Sequence, residues 1–384
     1  MSQEAYRSLS LDLSEAITDG TQCIFANASS PNISENTTVV DCNVPRRLYC
    51  ISSKIRQVAA QPMIKNFFNP HRLLFNGQLQ TIIGHSIASP PVIGRFEVDT
   101  VTLQDGDQIT LHVDRPNDAK KHVILLLHGL GGSSESDYML RISAKLNSLG
   151  YPVIRFNHRG CGVGGSALAR SIYHAGRGQD IDCAVSHIQN TWPGYKVSIA
   201  AFSLSANMLL KYLADFSESV STRCLYRALA VCPPVDLEQC SLAISSRKNL
   251  HLDLYYTRKL IKAAHEKKKI FPETPTVLFP RGTNLRSFDE IYTAKFGGFK
   301  SRDHYYAHSS ARSVLSHIRA QTGIILAEDD PIIPKQSFAD AKYSSSTSVY
   351  STPNGGHMGF VNDTPTMWGD RWWMDEAVIN FFIS

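Results

Sequence analysis

Long hydrophobic runs are absent from this chain. The longest, Val123-Ile124-Leu125-Leu126-Leu127, has the length of a buried strand and falls well short of the ~18 apolar residues that suggest a membrane span. Charge of one sign is also scarce. Lys and Arg number 39 against 34 Asp and Glu, a formal charge of +5 spread over 384 residues. The only tight basic cluster is Lys267-Lys268-Lys269, read as the capped end of a solvated helix, so no nucleic-acid partner is expected. The eight cysteines contain no C-x2-C pair and no metal-ligand spacing, so no metal site is expected. Cys161, Cys183, Cys224 and Cys232 lie within or beside apolar segments and read as small buried hydrophobes. Residues 1–20 lack the apolar core of a secretory signal and hold Glu4, Asp12, Glu15 and Asp19. The N-x-[S/T] patterns at Asn27, Asn32 and Asn36 then read as chance sequons in a polar stretch, and the expected compartment is reducing and cytoplasmic. With no transmembrane segment, peripheral contact with a membrane stays open.

What is present is a soluble, globular composition, 43% hydrophobic and 19% charged, with length enough for one large α/β domain. Residues 1–60 are compositionally distinct and are expected to form a partly disordered N-terminal extension, with the folded domain spanning 61–384. Phe96–Leu103 and Gln108–Val113 predict a hairpin about Asp105-Gly106-Asp107. Strands follow at His122–Leu127, Pro152–Phe156, Lys196–Ala201, Ala228–Cys232, Gly323–Ala327 and Ser348–Ser351. Helical patterns lie between them at Ser136–Leu149, Gly178–Asn190 and Ala206–Phe216. This alternation predicts a mostly parallel eight-stranded sheet with helices on both faces, its strand C-termini along one rim. Between Pro233 and Thr322 the rhythm breaks. Leu254–Lys268, Phe288–Phe296 and Ala307–Ser316 predict helices of a lid, about 241–315, inserted after the sixth strand.

The chemistry-bearing loops fall on that rim. Ala201-Phe202-Ser203-Leu204-Ser205-Ala206-Asn207 joins the fifth strand to a helix, the context that exposes a nucleophilic serine, although small residues replace the glycines of G-x-S-x-G. A serine hydroxyl needs a base, and the base a third group to hold it. Ser203, Asp330 and His357 occur in the order nucleophile, acid, base, His357 in the glycine-flanked loop Asn354-Gly355-Gly356-His357-Met358-Gly359. Asp329 and Asp330 both follow the seventh strand. Asp330 is preferred because Pro331 and Pro334 fix the loop beyond it, which leaves Asp329 exposed or capping the loop. An oxyanion would meet Leu204 N–H at the helix start and Leu130 N–H in the turn His128-Gly129-Leu130-Gly131-Gly132. Arg159, after the fourth strand, could take an anionic substrate group, but such arginines more often brace neighbouring loops.

Taken together, Asn76–Ile82, Leu127–Ser136, Asn157–Cys161, Ile172–His174, Phe202-Ser203-Leu204 with Asn207–Leu209, Phe288-Asp289 with Thr293-Ala294, and Gly355–Phe360 resemble the YheT-type α/β-hydrolases. Eukaryotic relatives of that family include abhydrolase-domain lipases and yeast ethanol acyltransferase/esterases. The resemblance runs from about residue 60 to the C-terminus. It implies the α/β-hydrolase fold and hydrolysis of medium- or long-chain acyl esters or lipids, with no metal or organic cofactor. It also gives Ser203, Asp330 and His357 the triad roles. The elbow departs from the family's G-F-S-L-G-G-N at Ala201, Ser205 and Ala206. Two other functions fit the same residues: acyl transfer to an alcohol, and binding without catalysis on a hydrolase fold.

Overall fold

The computed structural model describes residues 68–87, 96–222 and 225–384. The expected extension and Cys224 lie outside the described residues, which all belong to one compact unit.

The strands are β1 (Glu97–Thr102), β2 (Gln108–Asp114), β3 (His122–Leu127), β4 (Val153–Asn157), β5 (Lys196–Phe202), β6 (Leu225–Val231), β7 (Thr322–Ala327) and β8 (Thr347–Thr352). They form one sheet in the order β1-β2-β4-β3-β5-β6-β7-β8. The predicted hairpin supplies the antiparallel edge, with Thr102 paired to Gln108, and β2 also runs antiparallel to β4. From β4 to β8 all pairings are parallel. Side chains alternate across a strand, and β3 shows what that does here. Val123, Leu125 and Leu127 enter one core with Ile181, Leu209 and Leu213, from the helices Gly178–Thr191 and Leu204–Asp215. Ile124 and Leu126 enter the other with Met139, Ile142 and Phe381, from Asp137–Ser148 and Trp373–Ile383. Both faces are therefore covered, as a near-continuous apolar strand requires.

Between β6 and β7 lie the helices Leu237–Ile244, Leu250–Ile270 and Arg302–Ser309. The helix expected over 307–316 is split: one helix ends at Ser309 and a 3-10 turn, Arg312–His317, follows. Phe288–Phe296 is not one α-helix either, because its centre, Asp289–Thr293, is a π turn. The lysine cluster is corrected as well. Lys267 is buried, and its Nζ donates to Ala169 O and Ser171 O at 2.7 Å each, so it ties the long helix to the loop after β4. Desolvation pushes its pKa down to about 8. No helix among the described residues is long and apolar enough to cross a membrane.

Several helices had no sequence prediction, Gly77–Ser86 and Trp373–Ile383 among them. Gly77–Ser86 starts on Asn76, whose side chain accepts from Leu79 N–H at 2.9 Å. Trp373–Ile383 is apolar nearly all round, and a helix of that kind is buried.

Candidate active site

Ser203 sits where β5 turns into the helix Leu204–Asp215, with φ 52° and ψ −123°. Few non-glycine residues adopt this conformation, and such strain clusters at functional positions. The turn is held by Ser203 N–H donating to Val231 O on the neighbouring strand at 2.9 Å. The result places Ser203 Oγ 2.8 Å from His357 Nε2.

His357 Nδ1 lies 2.8 Å from Asp330 Oδ2. A carboxylate there only accepts, so Nδ1 carries the proton and Nε2 is left to accept from the serine. The other carboxylate oxygen, Asp330 Oδ1, accepts from Ile332 N–H and Ile333 N–H at 2.8 and 2.9 Å. Asp330 and His357 are both buried. Asp329 takes a different place: its Oδ1 accepts from Gly356 N–H at 2.9 Å, so it caps the histidine loop. Burial pushes the Asp329 carboxyl up. Cys232 follows β6 beside Asp330, and burial together with that negative charge pushes its thiol well up. Among the described residues, Cys232, Asp330 and His357 are the one cluster with metal-ligand atoms within 4.8 Å of one another. Its imidazole and carboxylate are engaged in the hydrogen bonds just described.

Leu130 and Leu204 line the same cavity as Ser203 and His357. The amides flanking Leu130 are tied down: Gly129 N–H donates to Tyr138 Oη at 2.8 Å and Gly131 N–H to Tyr173 Oη at 3.1 Å. A Cβ on Gly129 would lie 3.1 Å from Ser203 Cβ, so the turn closes directly over the nucleophile. Leu204 N–H belongs to the first residue of the helix, where backbone donors have no intrahelical partner.

The elbow substitutions fit through two buried histidines. Ser205 Oγ donates to His128 O and accepts from His158 Nε2–H, the latter at 2.6 Å. His128 Nδ1–H in turn donates to Gly129 O at 2.8 Å, and His158 stacks on Tyr173 with ring centroids 4.9 Å apart. A serine in place of glycine thus joins the elbow helix to the turn carrying Leu130. Replacing Ser205 by alanine leaves His128 O and His158 Nε2–H without this partner. It is expected to cost about 2–4 kcal/mol, read as a lowered midpoint in chemical denaturation.

Burial holds His128 at a pKa of about 4 and His174 at about 3, and pushes His158 well down. Their unfolded value is 6.5, so between 6.5 and about 4 the unfolded chain binds protons that the native state refuses. Stability is expected to fall progressively as pH drops through that window, measured as Tm against pH.

Arg159 braces loops and does not face the cavity. Its guanidinium pairs with Asp180 at 2.7 Å, Asp105 at 2.6 Å and Asp107 at 2.8 Å. Three features had not been anticipated. Thr81 Oγ1 accepts from His357 N–H at 2.8 Å. Asn207 grips the segment before β7, donating to Ser309 O at 2.7 Å and accepting from Ala311 N–H at 2.9 Å. Asp289 lines the cavity. All three belong to the segments that carry the family resemblance, where none had been given a role.

The chain is similar to known proteins over most of its length. The profile described as "Alpha/beta hydrolase family" matches residues 124–367. Mouse "Phospholipase ABHD3" is 26% identical over 311 residues, 78% of this chain and 74% of that protein. YheT of Escherichia coli is 28% identical over 314 residues, 78% of this chain and 90% of that one. Among solved structures, Est1E from Butyrivibrio proteoclasticus with ferulic acid aligns with a TM-score of 0.49 at 14% identity, over 74% of this chain and 98% of that one.

Proposed function

Because the chain belongs to the alpha/beta hydrolase family, we propose that it is a carboxylic ester hydrolase acting on medium- or long-chain acyl esters through an acyl-enzyme on Ser203. The observation that carries this reading is the continuous relay from Ser203 Oγ to His357 Nε2, and from His357 Nδ1 to Asp330, each contact 2.8 Å.

In this mechanism Ser203 Oγ attacks the acyl carbonyl carbon while its proton passes to His357 Nε2. Asp330 holds the imidazole in the tautomer that can accept that proton and stabilises the imidazolium. The carbonyl oxygen becomes an oxyanion, met by Leu130 N–H and Leu204 N–H. Collapse breaks the ester C–O bond, and the departing alcohol takes the proton from His357. Water then enters, His357 removes its proton, and attack on the acyl-enzyme releases the acid and free Ser203. The residues carry every step without a metal or an organic cofactor. The walls formed by Leu204, Leu237, Ile244, Leu260 and Ile332 suit an aliphatic acyl chain. The mouse relative is named a phospholipase, which supports a lipid-like substrate.

Labelling with a fluorophosphonate tests the reading. Wild-type protein is expected to label at Ser203, and Ser203→Ala to remain unlabelled although folded. Absence of a Ser203-dependent label on folded wild-type protein would overturn it. A series of p-nitrophenyl esters, with and without added ethanol, then separates hydrolysis from acyl transfer: accumulation of ethyl ester in place of free acid would reassign the second half-reaction.

A further inference from the structure

The cavity over Ser203 has one wall unlike the others. Asp289 opens the π turn Asp289–Thr293 and lines the cavity, 8% exposed. Such turns recur at functional sites because they redirect side chains that a regular helix would aim elsewhere. The Asp289 carboxylate accepts from Tyr306 Oη–H at 2.8 Å and from the Thr293 side chain. A carboxylate offers about four acceptor positions, so part of its capacity is left over.

No Lys or Arg forms an ion pair with Asp289 among the described residues, and Arg302 and Arg286 act on it only from a distance. No Lys or Arg lines the cavity among the described residues. The two nearby arginines are engaged with other carboxylates, Arg286 with Glu238 at 2.9 Å and Arg302 with Asp303 at 2.7 Å. His174, which also lines the cavity, is held neutral by burial. Asp289 is therefore a buried acid short of donors, facing a space otherwise walled largely by aliphatic and aromatic groups. Burial raises its carboxyl to about 6, so the carboxylate form still predominates at neutral pH.

We propose that Asp289 recognises the alcohol half of the ester: the site prefers acyl esters whose leaving alcohol keeps a free hydroxyl, which donates to the Asp289 carboxylate. This deepens the Ser203 ester reading and rests on it. A role confined to holding the π turn would leave substrates with and without hydroxyls equally affected by a change at Asp289.

The test uses octanoyl esters of one acyl chain: 1-octanoylglycerol, its 2,3-di-O-methyl ether and octanoylcholine. Wild-type enzyme is expected to favour the free diol over the dimethyl ether by about 10- to 100-fold in kcat/KM, the range for a hydrogen bond to a charged acceptor. Asp289→Asn is expected to collapse that ratio by at least about tenfold. Because methylation removes the donors from the substrate, the wild-type comparison stands even if the variant folds poorly. Equal rates on diol and ether in wild type would overturn the proposal, as would an unchanged ratio in Asp289→Asn. A preference for the choline ester over the diol, lost in Asp289→Asn, would also overturn it and make Asp289 a cation site. Failure of the ester reading is distinct: none of the three esters is cleaved and fluorophosphonate does not label Ser203.

Discussion

Ser203→Ala is expected to lower kcat on any ester substrate by about 10⁶, the scale set by removal of a serine nucleophile from a triad, with the protein still folded. Nothing structural depends on the hydroxyl except its bond to His357 Nε2. The backbone strain at φ 52° belongs to the turn and persists in the variant. Circular dichroism and Tm should therefore match wild type while turnover disappears. Asp330→Asn should be nearly as severe, about 10⁴ in kcat, for a specific reason. Asp330 Oδ1 is fixed by Ile332 N–H and Ile333 N–H, which demand an acceptor. The asparagine oxygen takes that side, its NH2 faces His357 Nδ1, and the imidazole must present Nδ1 as acceptor. The proton then sits on Nε2, where the serine needs a base. Retention of more than about a tenth of wild-type kcat in Asp330→Asn would overturn the assignment of Asp330 as the orienting acid.

Gly77→Ala is the second change with a large expected effect, and it lies far from the serine in sequence. A Cβ on Gly77 would stand 1.8 Å from Asp329 O, and one on Gly356 would stand 2.3 Å from Gly77 O. The helix Gly77–Ser86 is thus pressed between the loop bearing the acid and the loop bearing the histidine, backbone against backbone. Neither neighbour is the free end of a side chain that could swing away. The alanine must displace the helix, at a cost of about 3 kcal/mol. Activity should fall further than stability explains, because the helix also carries Thr81, the acceptor for His357 N–H. A displacement of about 1 Å there is enough for about a hundredfold loss in rate. Thr81→Val removes that acceptor without the clash: it should lower kcat and, because the buried His357 N–H is left unpaired, lower stability by about 1–3 kcal/mol. Denaturation midpoints and kcat measured side by side check both outcomes. An unperturbed Gly77→Ala enzyme would show that the two loops do not depend on this helix.

That Ser203, Asp330 and His357 would be neighbours was legible in the sequence because each lies in the loop after a strand, and parallel strands bring their C-terminal ends to one rim. Asp330 could be separated from Asp329 because the prolines beyond it limit the loop. The helices flanking β3 to β5 were legible for a related reason, since their apolar periodicity is local. What escaped depends on partners distant in the chain. Thr81 is an ordinary threonine until the histidine loop, 276 positions later, is laid against it. Lys267 sits in a basic run that reads as solvated, and only the carbonyls of Ala169 and Ser171 make it interior. The elbow looked compromised because Ser205 was weighed for size alone. Its two partners, His128 and His158, belong to separate loops and turn the extra hydroxyl into a link.

The helix Gly77–Ser86 has a consequence for dividing the chain. A chain beginning at residue 96 keeps all eight strands, Ser203, Asp330 and His357, and the whole of the family match at 124–367. It loses Thr81, and it loses Gln80, which donates to Val361 O at 3.2 Å and accepts from Val361 N–H at 2.8 Å. Such a fragment should fold its sheet yet turn over poorly, and a synthetic peptide of residues 68–87 added in trans should restore part of the rate. The catalytic unit would then behave as a two-piece assembly whose smaller piece contributes no reacting atom.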